Sequence, residues 1–257
     1  MELLLDDISS QDIDIQTELI QIFGVSPSGK ARNEGAKKAQ GDIFIFLDSD
    51  IRLGQRGTLK NLVSPLISDK AIGVCGAVKL IPEDSSWFQR RCAKEIPHLE
   101  HSFVKGILEV GTAAGACCAV RKEAFLRAGE FNDKLIRGVE AEFCSRVKKN
   151  QYRICMASQA QFYHPAPKGL LQLIRISIRN GVAVAFADMY YPNLNFDMGL
   201  DRITRQLELK SKKYRLCRYI KETVKSVIFF KPFYLISKIV YAIGYFMELI
   251  FKPIKNS

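Results

Sequence analysis

The stretch that most limits what this chain can fold into is Asp42–Asp50, DIFIFLDSD. Five consecutive apolar residues without alternation describe a strand buried on both faces. The strand ends in two carboxylates, Asp48 and Asp50, spaced i, i+2. Around it, strand-like and helix-like segments alternate. GTLKNLVSPLI reads as a helix, IGVCGAVKLI as a strand, RKEAFLRAG as a helix stopped by Gly129, and VEAEFCSRVKKN as an amphipathic helix. YRICMA and AQFYH read as two further short strands, ELLL as a short buried strand near the start, and IQTELIQIF as a helix running into a strand. This alternation predicts an α/β fold with a mostly parallel sheet flanked by helices. The expected division is an α/β domain over 1–168 and a basic, apolar helical region over 169–257. Carboxylates just past a strand of such a sheet sit at the edge where ligands bind.

Residues 24–31, GVSPSGKA, nearly spell a phosphate-binding G-x-x-x-x-G-K-[ST] loop. The failing position matters chemically. The residue after Lys30 supplies a hydroxyl to Mg²⁺ in such loops, and here it is Ala31. Pro27 also removes a backbone N–H from the would-be cradle. Ser28 is instead the expected N-cap of a helix over 29–39, ended by Gly41.

Composition narrows the partners. The formal charge of +11 suits phosphorylated ligands or anionic lipid. No base-reading motif is present, so nucleic acid is not an expected partner. Seven cysteines, an odd number with no C-x-x-C pair, form neither a disulfide framework nor a zinc pattern. Reduced thiols in a cytoplasmic setting are the simplest account.

Several segments together resemble the family 2 glycosyltransferases of GT-A fold. In GKARNEGAKKAQGDIFIFLDSD, the residues Gly29, Ala31, Arg32, Asn33, Gly35, Ala39, Gly41, Asp42, Asp48 and Asp50 fall on the family's nucleotide-sugar signature. GTAAGACCAVRKEAFLRAGEFND resembles its acceptor-side segment, with Gly129-Glu130-Phe131-Asn132 where Gly-Gly-Phe-Asp is usual. GVEAEFCSRVKKNQYRI resembles its catalytic helix. Counted back from Arg146, the usual catalytic Asp falls on Glu140, with Glu142 the next acidic position. The resemblance covers roughly residues 2–180. It implies a nucleoside-diphosphate sugar donor, UDP- or GDP-linked, and an Mn²⁺ or Mg²⁺ cofactor. It implies Glu140 and Glu142 as catalytic carboxylates, with Asp48, Asp50 and His164 (in AQFYHP) on the metal side. Asp7, Lys30, Arg32, Asn33 and Asp48 would bind the donor. Arg175 and Arg179, spaced i, i+4 in LIRISIRNG, would meet diphosphate or anionic lipid; an exposed basic face is the plainer alternative. For Glu140 and Glu142 the plainer alternative is a solvated helix face.

ELLLDDISSQD resembles the family's second strand, with Asp7 or Asp6 at the base-contacting position. The family's first β–α unit, roughly 30 residues, finds no counterpart here. The resemblance therefore implies an incomplete nucleobase wall and an exposed sheet edge. A non-catalytic, membrane-associated binding protein stays open beside the enzyme.

The C-terminal third carries a second signal. Residues 201–225 hold nine Lys/Arg against three acids and precede VIFFKPFYLISKIVYAIGYFMELIF. That stretch is apolar but interrupted, and its longest charge-free run, Ile239–Met247, falls short of the ~20 residues a spanning helix needs. A helix lying in the interface of an anionic membrane, at the cytoplasmic face, is the expectation. A spanning helix and a soluble packed helix are the alternatives. Such a location suits a lipid-linked or glycan acceptor and a surface polysaccharide or glycolipid product.

Overall fold

The computed structural model describes residues 2–97, 99–100, 106–192 and 211–251. They form two compact units. The first takes the chain up to Pro82 and residues 106–164; the second takes 83–100, 165–192 and 211–251.

The first unit is a mixed sheet with helices on both faces. In chain order it contains α1 (Glu2–Ser9), α2 (Ser28–Lys38), β1 (Ile43–Leu47), β2 (Arg52–Leu53), α3 (Thr58–Ser68) and β3 (Ile72–Leu80). In the second unit lies α4 (Trp87–Glu95), and the first unit then resumes with β4 (Ile107–Glu109), β5 (Cys117–Arg121), α5 (Lys122–Ala128), α6 (Val139–Lys149) and β6 (Arg153–Tyr163). Strand order is β1-β5-β3-β6-β2, with β4 also on β6. The α/β class stands, but the sheet is not mostly parallel. Among the described residues only β3 and β6 pair in parallel; the other four pairings are antiparallel. Two of these come from β5, which runs back between β1 and β3, and two from the short strands β2 and β4, which both run against β6.

Each face of β1 has its own core. Ile43, Ile45 and Leu47 pack with Leu62, Leu66 and Phe162 in one cluster. Phe44 and Phe46 point the other way, where Phe125, Phe131 and Phe143 interlock edge-on or tilted, with centroids 4.4–6.3 Å apart. Phe143 and Phe162 are essentially sealed from solvent, each contributing about 1.5–3 kcal/mol by transfer alone.

Three local expectations change. ELLL is helical, not a strand: α1 buries Leu4 and sends Asp7 to β2. Residues 15–23, expected as helix and strand, are neither. YRICMA and AQFYH are one strand, β6, whose pairing with β3 jumps from Ala77↔Ala157 to Val78↔Gln161. The three residues of this bulge bend the strand and let Gly54 N–H donate to Gln161 O at 2.8 Å.

The second unit is helical: α4, then α7 (Leu170–Tyr190), α8 (Lys212–Ile228) and α9 (Pro232–Phe251). Helices α7 and α9 run in the same direction. Ser177 Oγ donates to Ser237 Oγ at 3.0 Å, and eleven residues further along α7 Asp188 accepts from the Tyr245 hydroxyl at 3.0 Å. Between these contacts the backbones nearly touch. A Cβ on Gly181 would lie 2.7 Å from Tyr245 N, and one on Gly244 would lie 2.9 Å from Ile178 Cα. Only glycine permits that crossing. Both α7 and α9 are long and apolar enough to cross a membrane by length and composition. This differs from the interrupted-run estimate for the C-terminal stretch, because Lys238 and Glu248 are single charges inside one 20-residue helix.

Candidate active site

The site grows from two helix beginnings. Helix α2 starts at Ser28, one residue earlier than the Ser28 cap implies, because Ala31 N–H donates to Pro27 O at 3.2 Å. Its first-turn N–H groups are available to an anion, and the helix dipole favours one there. Helix α6 starts after Gly138, which adopts φ 79°. The two starts pack closely: a Cβ on Gly29 would meet Asn132 O at 3.1 Å and Val139 Cγ1 at 3.2 Å.

One turn into α2, Arg32 reaches across. Its guanidinium donates to Glu140 Oε1 at 2.8 Å and to Asp48 Oδ1 at 3.0 Å, and stacks over the Phe131 ring at 5.6 Å. Arg32 is buried, with 8% of its side chain exposed, while Asp48 keeps 39% and Glu140 29%. The cation is thus sealed and the two carboxylates keep an open side. Next to it, Asn33 clamps a loop: its Nδ2 donates to Phe131 O at 2.8 Å, and Phe131 N–H donates back to Asn33 Oδ1 at 2.9 Å.

Electrostatics follow the geometry. Burial pushes the Glu140 carboxyl up, but the Arg32 charge and hydrogen bond outweigh it and leave Glu140 below the usual Glu range. For Asp48 burial wins. Arg32 opposes it, repulsion from Glu140 and Asp50 adds to it, and the carboxyl ends above the usual Asp range. Burial alone would weaken the Arg32 cation; Glu140 and Asp48 more than restore it.

A gap in the neighbouring loop makes room for Glu140. A Cβ on Gly115 would lie 2.6 Å from the Glu140 carboxyl carbon. The small-residue run GTAAGACC was the signal for such an approach, although neither Gly115 nor Phe131 stood out as a functional residue in the sequence.

The remaining sequence-derived residues are placed as follows. Asp50, two residues past Asp48, lies 3.7 Å from His164 Nε2. His164 is fixed by its backbone N–H, which donates to Leu80 O at 2.9 Å. Glu142 is buried and forms a two-pronged pair with Arg146, at 2.6 and 2.8 Å. Arg146 also donates to the carbonyls of Ala128, Gly129 and Glu130. Glu142 thus holds the turn after α5. Asp7 accepts from Arg52 at 2.7 and 2.8 Å and from Leu53 N–H at 2.9 Å, which spends its carboxylate on β2. Lys30 is exposed on α2, and Arg175 and Arg179 are exposed on α7 in the second unit. His98 and His101 lie outside the described residues.

For a divalent cation the donor set is partial. No cluster of three His, Cys, Asp or Glu side chains occurs among the described residues. Asp50 and His164 converge on one point open to solvent, and Asp48 is engaged with Arg32 through one oxygen. This fits an ion that takes one or two protein ligands and completes its shell with phosphate oxygens and water.

The family model described as Glycosyl transferase family 2 matches residues 27–128. No curated protein matches the chain. Among solved structures, the mannosyltransferase PcManGT from Pyrobaculum calidifontis, in complex with GDP-Man and Mn²⁺, superposes with a TM-score of 0.61. It is 16% identical, over 98% of this chain and 83% of that one. GalNAc-T7, with UDP, GalNAc and Mn²⁺, is matched more weakly, over 64% of this chain and 35% of that one, at 15% identity and a TM-score of 0.43. The matched segment contains Arg32, Asn33, Asp48 and Asp50, and the likeness in fold spans both units. Residues 27–128 thus resemble the family 2 glycosyltransferases, and the chain carries a GT-A-like fold.

Proposed function

We propose that this chain transfers a sugar, with inversion, from a UDP- or GDP-linked donor to a lipid-linked or glycan acceptor at an anionic membrane surface. One observation carries the reading. Glu140 stands at the start of α6, ionised by Arg32 and open on one side, and the same Arg32 holds the first Asp of DSD. A carboxylate so placed serves as general base. Its open oxygen takes the proton of the acceptor hydroxyl. The acceptor oxygen bonds to the anomeric carbon, and the bond from that carbon to the diphosphate oxygen breaks, its electron pair leaving with the nucleoside diphosphate. The N–H groups opening α2 face the departing charge. Mn²⁺ or Mg²⁺, held by Asp50 and His164 with help from Asp48, would offset charge on that leaving group.

The apolar helices α7 and α9 support the membrane part of the reading, with α9 in the interface and the cytoplasmic face as the site of action. Domain boundaries at 1–168 and 169–257 belong to the same proposal.

The test is thermal stabilisation of the chain by UDP, GDP, CDP, dTDP and ATP, each with and without Mn²⁺. A shift with one nucleoside diphosphate that needs the metal is expected, and Asp50→Ala should abolish the metal requirement and the Mn²⁺-dependent transfer. One observation favours a second reading, a non-catalytic binding protein: the carboxylate of Asp7, aligned with the base-contacting position, is spent on Arg52 and Leu53. Absence of any nucleotide shift would select it.

A further inference from the structure

The second unit shows water an unusual surface. Along α8, Leu216, Ile220, Val224, Val227 and Ile228 are each at least half exposed, in a stripe at helical spacing. The same helix carries Lys212, Lys213, Arg218, Lys221 and Lys225 against one acid, Glu222, while Arg215 is largely buried in a pair with Asp188. The stripe leads into the turn before α9, where Phe229 is 64% and Phe230 83% exposed. Nearby on α4, Trp87 is 72% exposed and meets Phe233 edge-on at 6.1 Å.

These aromatic tips are held out rather than left loose. Phe230 sits at φ 47°, a left-handed conformation uncommon for a bulky residue. Its carbonyl accepts from Arg91 at 3.2 Å. Arg91 is in turn paired with the buried Glu95, whose other oxygen accepts the N–H groups of Phe233 and Tyr234 at 2.9 and 3.2 Å. Phe88 packs on Phe233 at 4.6 Å from below. A buried carboxylate therefore fixes the start of α9 and the turn that precedes it, while three large aromatic side chains face outward.

A surface that is apolar at its centre, aromatic at one end and strongly cationic along its flanks matches one partner chemistry: the headgroup–acyl boundary of an anionic bilayer. We propose that α8 lies in that boundary, with Trp87, Phe229 and Phe230 as the side chains that enter the acyl region. This rests on the membrane reading above and assigns the contact to α8 and its turn, beyond the apolar α9.

Trp87 is the one tryptophan of the chain, so the full-length protein reports on itself. Its emission would be followed on titration with phosphatidylcholine vesicles and with vesicles containing 30% phosphatidylglycerol, roughly the composition of a moderately anionic surface. Brominated lipids would report depth. Expected are a blue shift and bromine quenching with the anionic vesicles, weakened by salt because the attraction is screened. Co-sedimentation of the Phe229→Ser/Phe230→Ser variant should fall roughly 30-fold, since two partly inserted phenyl groups are lost, with its melting curve and nucleotide response unchanged. If the chain sediments with vesicles but Trp87 is neither shifted nor quenched and the variant binds equally, the anchors are wrong while the membrane reading survives. If no vesicle binds, both fall, and the nucleotide response still stands as a separate test of the transferase reading. A blue shift that depends on protein concentration and not on lipid would make a second copy of the chain the covering surface and overturn the proposal.

Discussion

The two units of this chain are built with opposite polarity. In the first, phenylalanines and branched aliphatics are sealed inside and the Asp48 and Glu140 carboxylates keep an open side. In the second, Glu95, Asp188, Glu222 and Glu248 are buried while most of the chain's exposed large apolar side chains lie outside. A fold in water hides apolar surface because that is its main driving force. The second unit hides acids and shows apolar side chains, the observation on which the membrane proposal rests. The difference teaches that burial must be read per unit. Enclosed acids are paired in both, Glu142 with Arg146 in one and Glu95 and Asp188 with Arg91 and Arg215 in the other. The outward apolar surface is what sets the units apart.

That contrast can be broken from either side. The largest effect is expected at Glu142. Removing it by Glu142→Ala leaves Arg146 largely enclosed without its partner and should cost about 3 kcal/mol in chemical denaturation of the full chain. Equal stability would show the pair to be solvent-screened. Next is Gly115→Val, whose side chain collides with the Glu140 carboxyl. Sugar transfer should drop about 100-fold, the scale of a ~1 Å misplacement of a reacting group, while nucleoside diphosphate still stabilises the protein. A variant with normal turnover would remove Glu140 from the reaction. In the second unit, Gly244→Val forces α9 off α7 and should cost about 2 kcal/mol by overpacking, read as a lower melting temperature in detergent or lipid, with nucleotide binding untouched.

The smallest effect concerns pH. Glu140 sits below its ordinary value, so its contribution to stability is present above the unfolded pKa and fades as pH falls through the folded one. Asp48 sits above its ordinary value, so ionising it costs stability, and that cost disappears on acidification. The two oppose each other, and the acid limb of stability should be shallow. In Arg32→Met, Glu140 loses the charge that holds it down. The acid limb of the transfer rate should then move to higher pH. An unmoved limb would mean that another group titrates.

Long apolar runs made much of the fold legible: β1, β3, α3 and α6 lie where their patterns placed them. Short runs did not suffice. The four residues ELLL suit a strand or a buried helical turn equally, and contacts of Leu4 and Asp7 with α3 and β2 decided for the helix. The parallel expectation failed because strand direction depends on where a distant strand inserts, and nothing in CCAVR announces that it enters between β1 and β3. At the site, the acids opening α6 were visible, but not which of them was committed. Glu142 has Arg146 one turn away, a local partner. The partner of Glu140 lies 108 residues earlier, on α2, beyond the reach of any spacing rule. The outward apolar face of α8 was hidden too, since its sequence reads chiefly as charge.

The shared guanidinium of Arg32 has one more consequence. It is a single resource with two claimants on different elements: Asp48 at the end of a strand and Glu140 at the start of a helix. A cation that draws Asp48 away leaves Arg32 wholly to Glu140. Whatever neutralises Glu140 tightens Arg32 on Asp48. The exchange is reciprocal by thermodynamic necessity. Two carboxylates on different elements are thereby coupled without moving a domain: a change at one is felt at the other through one buried side chain.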